Sequence, residues 1–111
     1  MTVSELAKNL SLEILSGDED ALARPVTGGY CGDLLSWVMG RAPSGGVWIT
    51  IMSNVNVAAV AQLSDVSCVI LAEGVSPDAA LRNRAEMEGL PLLSSPDPAF
   101  SLAGRIFPMI S

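Results

Sequence analysis

Two short runs of the sequence are strongly apolar and rich in β-branched or aromatic side chains, as strands of a buried sheet are. They span residues 47–52 and 68–72. Short apolar runs of this kind predict strands that are covered on both faces, which is typical of a parallel sheet. A shorter apolar pair, Leu92 and Leu93, follows Pro91. A proline at the start of a strand predicts an edge position in the sheet.

Weaker patterns precede these runs. Leu10, Leu12 and Ile14 alternate with polar residues, which predicts a first strand. Three further segments are predicted: an acidic turn at 17–20, an extended segment at 26–30, and a turn at 41–46 that contains Gly and Pro.

Helix-start signals lie between the strands. Thr2 and Glu5 have the spacing of a capping box, which predicts a helix over residues 3–9. Asp33 is expected to cap a helix that runs through Met39, with Leu34, Leu35, Val38 and Met39 as its apolar face. The remaining predicted helices run from 53 to about 63, from 76–78 to Gly89, and from 97 onward, the last carrying Phe100, Ala103, Ile106 and Phe107.

Three successive strand–helix units indicate the fold class. Strands that alternate with helices form a mainly parallel sheet with helices packed on its faces. No linker or repeat divides the 111 residues. The sequence therefore predicts one α/β domain over residues 1–111, with three layers and a mainly parallel sheet flanked by helices.

The composition adds an apolar excess. Half of the residues are hydrophobic and only 16% are charged, against roughly 25% charged in ordinary soluble domains. The excess requires either a doubly covered sheet or a surface that is buried against a partner. Trp37 and Trp48 are expected in the core, and Cys31 and Cys68 are expected to be buried, reduced thiols.

The charge pattern excludes several partners. Twelve acidic side chains stand against six basic ones, and the net charge is −6, so we expect no nucleic-acid binding and no attraction to an anionic membrane surface. No apolar run approaches the ~20 residues that span a bilayer. A basic-then-apolar export signal and a cysteine framework are both lacking, which predicts a cytoplasmic protein.

The residue inventory argues against catalysis. The chain has no histidine and a single lysine, Lys8, which removes the usual triads, most zinc sites and the Walker phosphate-binding loop. The acidic segment 17–20 lacks the spacing of calcium ligands. We expect neither enzyme activity, nor a metal, nor a cofactor.

A ligand site is expected at strand ends, because ligands of open α/β sheets bind beyond the carboxyl ends of the strands, near a topological switch point. The candidate ligand-contacting residues lie at such ends or in a glycine-containing turn, and they are Thr27, Gly28, Gly29, Asp33, Thr50, Asn54 and Asn56. Loops at 73–74 and 94–95 belong to the same predicted edge. Helix capping by Asn54, and a turn or close approach at the paired glycines, are the alternative roles.

Several segments together resemble the DRTGG domain family. The resemblance extends from about residue 3 to 107 and rests on segments 26–30, 32–39, 48–50, 56–61 and 69–91. It implies a fold similar to the N-terminal domain of HPr kinase/phosphorylase, without the kinase domain.

The same resemblance implies a regulatory or interaction module that is not catalytic. Family members associate with themselves, which implies a homodimer, and stand-alone copies imply a protein partner in anaerobic hydrogenase or electron-transfer systems. DRTGG domains of adenine-nucleotide-regulated pyrophosphatases imply an alternative, a small-molecule sensor for an adenine-nucleotide-like ligand. A kinase is the third alternative.

Overall fold

A computed structural model describes residues 1–110 and contains six helices and five strands. The helices are α1 Val3–Asn9, α2 Glu19–Leu22, α3 Leu35–Arg41, α4 Asn56–Ser64, α5 Ala79–Glu88 and α6 Ala99–Ile110. The strands are β1 Glu13–Ser16, β2 Gly28–Cys31, β3 Gly46–Thr50, β4 Cys68–Leu71 and β5 Leu92–Ser94. No helix within residues 1–110 has the length and apolar character needed to cross a membrane.

The strands form one sheet in the order β1-β5-β4-β3-β2. Strands β2 to β5 are parallel to their neighbours, and β1 pairs antiparallel with β5. The predicted, mainly parallel sheet is confirmed. The edge position predicted for Leu92 and Leu93 is wrong, because β5 lies between β1 and β4. Pro91 lies one residue before β5, so its missing N–H removes no hydrogen bond between β5 and its neighbouring strands. Its carbonyl accepts a hydrogen bond from Val69 N–H.

The sheet separates two apolar cores, which gives the predicted three layers. On one face α3, α4 and α5 pack through residues such as Val38, Val57 and Leu81 against Trp48 and neighbouring strand residues. On the other face α1 and α6 cover the alternate strand residues, with Leu6, Leu102 and Ile106 against Ile49 and Ile70. Every residue of β3 and β4 is buried, so the sheet, covered on both faces, buries many of the apolar residues that the composition has in excess.

The amino-terminal region differs from the sequence prediction after its first helix. The capping box of α1 is confirmed, since Thr2 Oγ1 accepts from Glu5 N–H and Glu5 Oε1 accepts from Thr2 N–H. The first strand comes later than predicted, and Ile14 is 44% exposed whereas Ser16 is buried. Ile14, on the edge strand β1, lies opposite Leu93, and an irregularity between Ile14 and Ser16 shifts the register so that Ser16 lies opposite Leu92. The expected acidic turn continues into α2, capped by Asp18.

Helix α3 packs less of its surface than predicted. It begins at Leu35, and Leu34 occupies the cap position without a side-chain hydrogen bond, so Asp33 is not the cap. Only Val38 is buried. Trp37 is 53% exposed and its ring lies 4.1 Å below the Arg41 guanidinium carbon, so the expected core position of Trp37 is wrong. Trp48 is fully buried, as predicted.

In α6, Leu102 and Ile106 are buried, whereas Phe100 and Phe107 are largely exposed. Two other predicted positions are corrected. Cys31 is exposed on the edge strand β2, and only Cys68 is buried. Burial raises the pKa of the Cys68 thiol to about 12. The helix expected from residue 53 begins at Asn56.

Candidate functional site

The residues predicted to contact a ligand fall at two opposite ends of the sheet. Gly28 pairs with Gly46 at the start of β3, whereas Cys31 pairs with Ile49 near its end. Thr27 to Gly29 therefore lie towards the amino edge, and the level of Gly28 is separated from that of Thr50 by four residues, or roughly 13 Å at 3.3 Å per residue. Asp33, Thr50, Asn54 and Asn56 lie together at the carboxyl edge.

Asp33 and Thr50 form a closed hydrogen-bond network. Thr50 Oγ1 donates to Asp33 Oδ1 at 2.8 Å, and Ile51 N–H donates to the same oxygen at 2.9 Å. Thr50 Oγ1 also accepts from Met52 N–H. Thr50 is buried. These bonds tie the loop after β2 to the end of β3, and they engage Asp33 Oδ1 and Thr50 Oγ1, two of the polar atoms expected to meet a ligand.

Asn54 and Asn56 form a local turn before α4. Asn54 Oδ1 accepts a hydrogen bond from Asn56 N–H at 2.9 Å. An Asn side chain that bonds the backbone two residues ahead makes an Asx turn. The polar atom of Asn54 thus supports the chain before the helix, although Val55 holds the cap position itself.

The paired glycines at the amino edge allow close packing. Neither has a positive φ. A Cβ on Gly28 would meet Pro43 Cγ at 3.2 Å, and one on Gly29 would meet Val47 Cγ1 at 3.2 Å. Of the two roles considered, close approach is therefore the one required. Beside them, between β2 and α6, lies a mostly apolar cleft of about 400 Å³.

Topology places a crevice elsewhere, between β4 and β5. The helices after β2, β3 and β4 all lie on one face of the sheet, whereas the helix after β5 lies on the other. Adjacent loops that lead to opposite faces leave a gap between them at the carboxyl edge. Only β4 and β5 meet this condition among the four parallel strands, since the loops after β2, β3 and β4 leave the sheet on the same side.

A polar cleft of about 500 Å³ occupies this gap. We call it the carboxyl-edge cleft, and its walls are Ser11, Glu13, Leu15, Gly74, Val75, Ser76, Pro77, Arg82, Ser94, Ser95 and Pro96. Its volume lies within the roughly 300–1,000 Å³ of typical small-molecule sites. Its volume and its place between the diverging loops make it a candidate ligand site.

Arg82 gives the cleft its only cationic side chain. Four of the six basic residues have partners, as Arg24 pairs with Asp65, Arg84 with Glu88 and Arg105 with Asp97, while Arg41 stacks on Trp37. Within residues 1–110, Arg82 and Lys8 have no such partner. Lys8 lies in the last turn of α1, where the helix dipole favours a cation. Arg82 lies near the first turn of α5, where the dipole opposes one.

Arg82 remains unpaired although carboxylates are near in sequence. Asp78 and Glu86 are four residues before and after it on α5, the spacing at which helical ion pairs form. Asp78 Oδ1 instead accepts from Leu81 N–H as the helix cap. In a chain with twice as many acids as bases, an unpaired guanidinium in a cleft is available to an anion.

Serine hydroxyls line the rest of the polar surface. Ser95 Oγ accepts from Asp97 N–H. The hydroxyls of Ser76 and Ser94 make no hydrogen bond to another described residue. Both can donate to, or accept from, a ligand.

Sequence reasoning located part of this cleft. The loops at 73–74 and 94–95 were expected at the edge, but Arg82 and Glu13 were missed. Glu13 reaches the cleft because β1 pairs with Ser94 in antiparallel register, and no local sequence signal predicts that pairing. An arginine near the start of a helix, against the dipole, is the one signal that was available for Arg82.

Comparison with solved structures shows the fold. A crystal structure of the CBS and DRTGG domains of the regulatory region of Clostridium perfringens pyrophosphatase, complexed with the activator diadenosine tetraphosphate, superposes with a TM-score of 0.72. The identity is 16%, and the match covers 93% of the present chain but only 44% of that one. No protein-family profile and no curated protein matches the sequence. The DRTGG-like fold expected from sequence is thus supported by structure.

Proposed function

We propose that this chain is a regulatory sensor domain that binds an adenine nucleotide in the carboxyl-edge cleft and has no catalytic activity of its own. The observation that carries the proposal is the unpaired Arg82 in a cleft between diverging loops. The pyrophosphatase region of similar fold was crystallised with an adenine-nucleotide activator, which supports the choice of ligand. Absence of histidine supports a binding rather than a catalytic role.

The cleft is suited to regulation because its two loops lead to helices on opposite faces. Glu73 N–H donates to Asp97 carbonyl oxygen at 2.9 Å, and Gly74 N–H donates to Ser95 carbonyl oxygen at 3.0 Å. A ligand that contacts residues 74–77 and 94–96 touches both loops. Binding would therefore shift the position of α5 relative to α6, and a partner that reads either helix would respond.

Thermal unfolding of the intact chain tests the proposal. AMP, ADP, ATP and diadenosine tetraphosphate are added separately at millimolar concentrations, and a ligand that binds the folded chain raises its melting temperature. We expect a saturable rise with at least one of them that Arg82→Gln abolishes. Lys8→Gln removes the same charge outside the cleft and is the matched control. No rise with any nucleotide would refute the sensor role.

The residues chosen from sequence are tested beside Arg82. Asn54→Ala and Asn56→Ala remove side chains that the prediction gives to the ligand, and they lie outside the cleft. If either variant abolishes nucleotide binding while Arg82→Gln retains it, the ligand lies beyond β3 as the sequence predicted. Retention in both asparagine variants with loss in Arg82→Gln assigns the ligand to the cleft.

We further propose a cytoplasmic homodimer that recruits a protein partner from an anaerobic hydrogenase or electron-transfer system. The observation that favours self-association is the exposed apolar surface of α3 and its preceding loop, formed by Leu34, Trp37 and Met39. Light scattering should give twice the monomer mass, and Trp37→Glu should halve it. A monomer at all concentrations would contradict the dimer, and co-purification from the native host tests the partner.

A further inference from the structure

The carboxyl-edge cleft contains two opposite charges that do not meet. Arg82 projects from α5 and Glu13 from the edge strand β1, and both line the cleft. No ion pair joins them, and neither has another ion-pair partner within residues 1–110. The cleft therefore has one cation and one carboxylate to offer, so that its formal charge is zero.

This balance limits the charge of the ligand. A single guanidinium can hold one phosphate group through two parallel hydrogen bonds. No second basic side chain lines the cleft, and the chain as a whole carries a charge of −6. Each additional phosphate would meet the Glu13 carboxylate and the negative field of the protein without a cation to offset it. A polyphosphate is disfavoured for this reason, so the similar region crystallised with diadenosine tetraphosphate supports the adenine part of the proposed ligand and not its phosphate number.

Glu13, an exposed carboxylate at the cleft wall, can accept hydrogen bonds from a ligand. An ionised carboxylate has only acceptor oxygens. Sugar hydroxyls are suitable donors, as where an acidic side chain bonds a ribose in dinucleotide-binding folds. Ser94 lies opposite Glu13 in the β1–β5 register, which adds a hydroxyl beside the carboxylate. Leu15, Val75 and Pro96 also line the cleft, and their apolar surfaces can contact a base.

We propose that the carboxyl-edge cleft selects a ribonucleoside monophosphate, with the phosphate at Arg82 and the ribose hydroxyls at Glu13. The inference rests on the proposed function, which assigns an adenine nucleotide to this cleft without specifying its phosphate number. It makes the domain a sensor that distinguishes mononucleotides from triphosphates by charge.

Calorimetric titration of the intact chain tests the selectivity. The probes are AMP, ATP, adenosine, inorganic phosphate and the dideoxy form of AMP that lacks both ribose hydroxyls. We expect AMP to bind at least about tenfold more tightly than any other probe, since each loses or opposes one charge-assisted contact. Arg82→Gln should reduce AMP affinity by about tenfold or more and leave adenosine affinity unchanged.

Glu13→Gln completes the test, because the variant and the ligand without ribose hydroxyls together form a thermodynamic cycle. Glu13→Gln should weaken the binding of AMP but not that of dideoxy-AMP, because only AMP has the hydroxyls that Glu13 is proposed to bind. Lys8→Gln and Glu86→Gln are charge-matched controls outside the cleft and should bind AMP like the unmodified chain. A melting curve for each variant verifies that it folds.

The outcomes separate the two claims. If no adenine compound binds, the proposed function fails and this inference fails with it. If ATP binds more tightly than AMP, or if Glu13→Gln strengthens AMP binding, the sensor role stands and the monophosphate selectivity is overturned. If Glu13→Gln weakens AMP and dideoxy-AMP equally, the ribose contact is overturned.

Discussion

The ends of β3 and β5 have similar hydroxyl residues but different surroundings. Thr50 closes β3 and is engaged by Asp33, which also accepts Ile51 N–H. Ser94 closes β5, lines the carboxyl-edge cleft and makes no side-chain hydrogen bond within residues 1–110. Both residues were expected at a ligand-binding edge, yet only the second faces a cleft.

The direction of the loops accounts for the difference. The loops after β2 and β3 leave on the same face, so that Asp33 of one can bond the end of the other. The loops after β4 and β5 leave on opposite faces, and their backbones meet only through Glu73, Gly74, Ser95 and Asp97. Polar residues at strand ends thus line an open cleft where the two loops diverge, and they form a structural clamp where the loops leave on the same face.

The largest expected effect comes from removing the clamp. Asp33→Ala deletes the acceptor of two hydrogen bonds, one from the buried Thr50 hydroxyl, and should lower the free energy of unfolding by about 1–3 kcal/mol. Urea unfolding measures it. Asp20→Ala, at an exposed carboxylate with no side-chain hydrogen bond, should stay within about 0.5 kcal/mol. Nucleotide binding should be retained in Asp33→Ala. If binding is lost while stability is unchanged, Asp33 contacts the ligand and is not a structural clamp.

A smaller effect is expected when the two hydroxyls are removed in parallel. Thr50→Val retains the shape of the side chain and removes its bonds to Asp33 and to Met52 N–H, which should cost about 1–2 kcal/mol. Ser94→Ala removes a hydroxyl without a protein partner and should change stability by less than about 0.5 kcal/mol. Equal losses of stability in the two variants would remove the distinction between clamp and cleft.

A third test uses Cys31, two residues before Asp33. Partial burial and the Asp33 charge, in that order, raise the pKa of the Cys31 thiol. Asp33→Ala removes the second cause, so the pKa should fall and the thiolate fraction at mildly alkaline pH should increase. Labelling with a disulfide reagent should become a few-fold faster, with its pH midpoint moved downward.

Cys68 is the internal control for this labelling. Its thiol is buried with a pKa of about 12, so it should react only after unfolding. A faster rate with an unmoved pH midpoint would indicate that Asp33→Ala increases access to Cys31, and the charge effect would be rejected.

Local signals in the sequence predicted the fold well where they act alone. The capping box at Thr2 and Glu5, the strands beginning near Val47 and Cys68, and the left-handed Gly89 after α5 all follow from rules over a few residues. The mainly parallel sheet was predicted correctly, but the position of β5 in the strand order was not. Pro91 indicated an edge strand, but β1 arrives from the far end of the chain to cover β5.

The candidate site depends on such long-range pairing throughout. Asp33 has the local pattern of a helix cap, and only the approach of Thr50 gives its carboxylate another partner. The cleft needs Glu13 from β1 and Arg82 from α5, brought together by the order of the strands. Four of the residues chosen by the rule about strand ends lie at or after the ends of β2 and β3, and locating the cleft between β4 and β5 required knowing on which face each helix packs.

The smallest expected effect concerns the amino edge, where a second carboxylate clamps two loops. Asp65 accepts from Ser44 Oγ at 2.6 Å and from Arg24 at 3.2 Å. The Ser44 hydrogen bond and then the Arg24 charge lower the pKa of Asp65. Because the pKa of Asp65 is lower in the folded state, its ionisation stabilises the folded chain at pH values above the unfolded-state pKa of about 3.9. This stabilisation is lost as the pH falls through the folded-state pKa.

Ser44→Ala should therefore destabilise the chain at neutral pH, with a difference from the unmodified chain that shrinks as the pH falls below about 4. Urea unfolding at both pH values measures the difference, and the effects of other carboxylates, such as Glu5, cancel in it. A difference that grows on acidification would contradict the charged clamp. Because Asp65 is exposed and screened by solvent, its clamp should be weaker than that of Asp33, whose partner hydroxyl is buried. Thr50→Val and Ser44→Ala each remove a hydroxyl that donates to such a carboxylate, so a larger loss of stability in Thr50→Val indicates how much burial strengthens this arrangement.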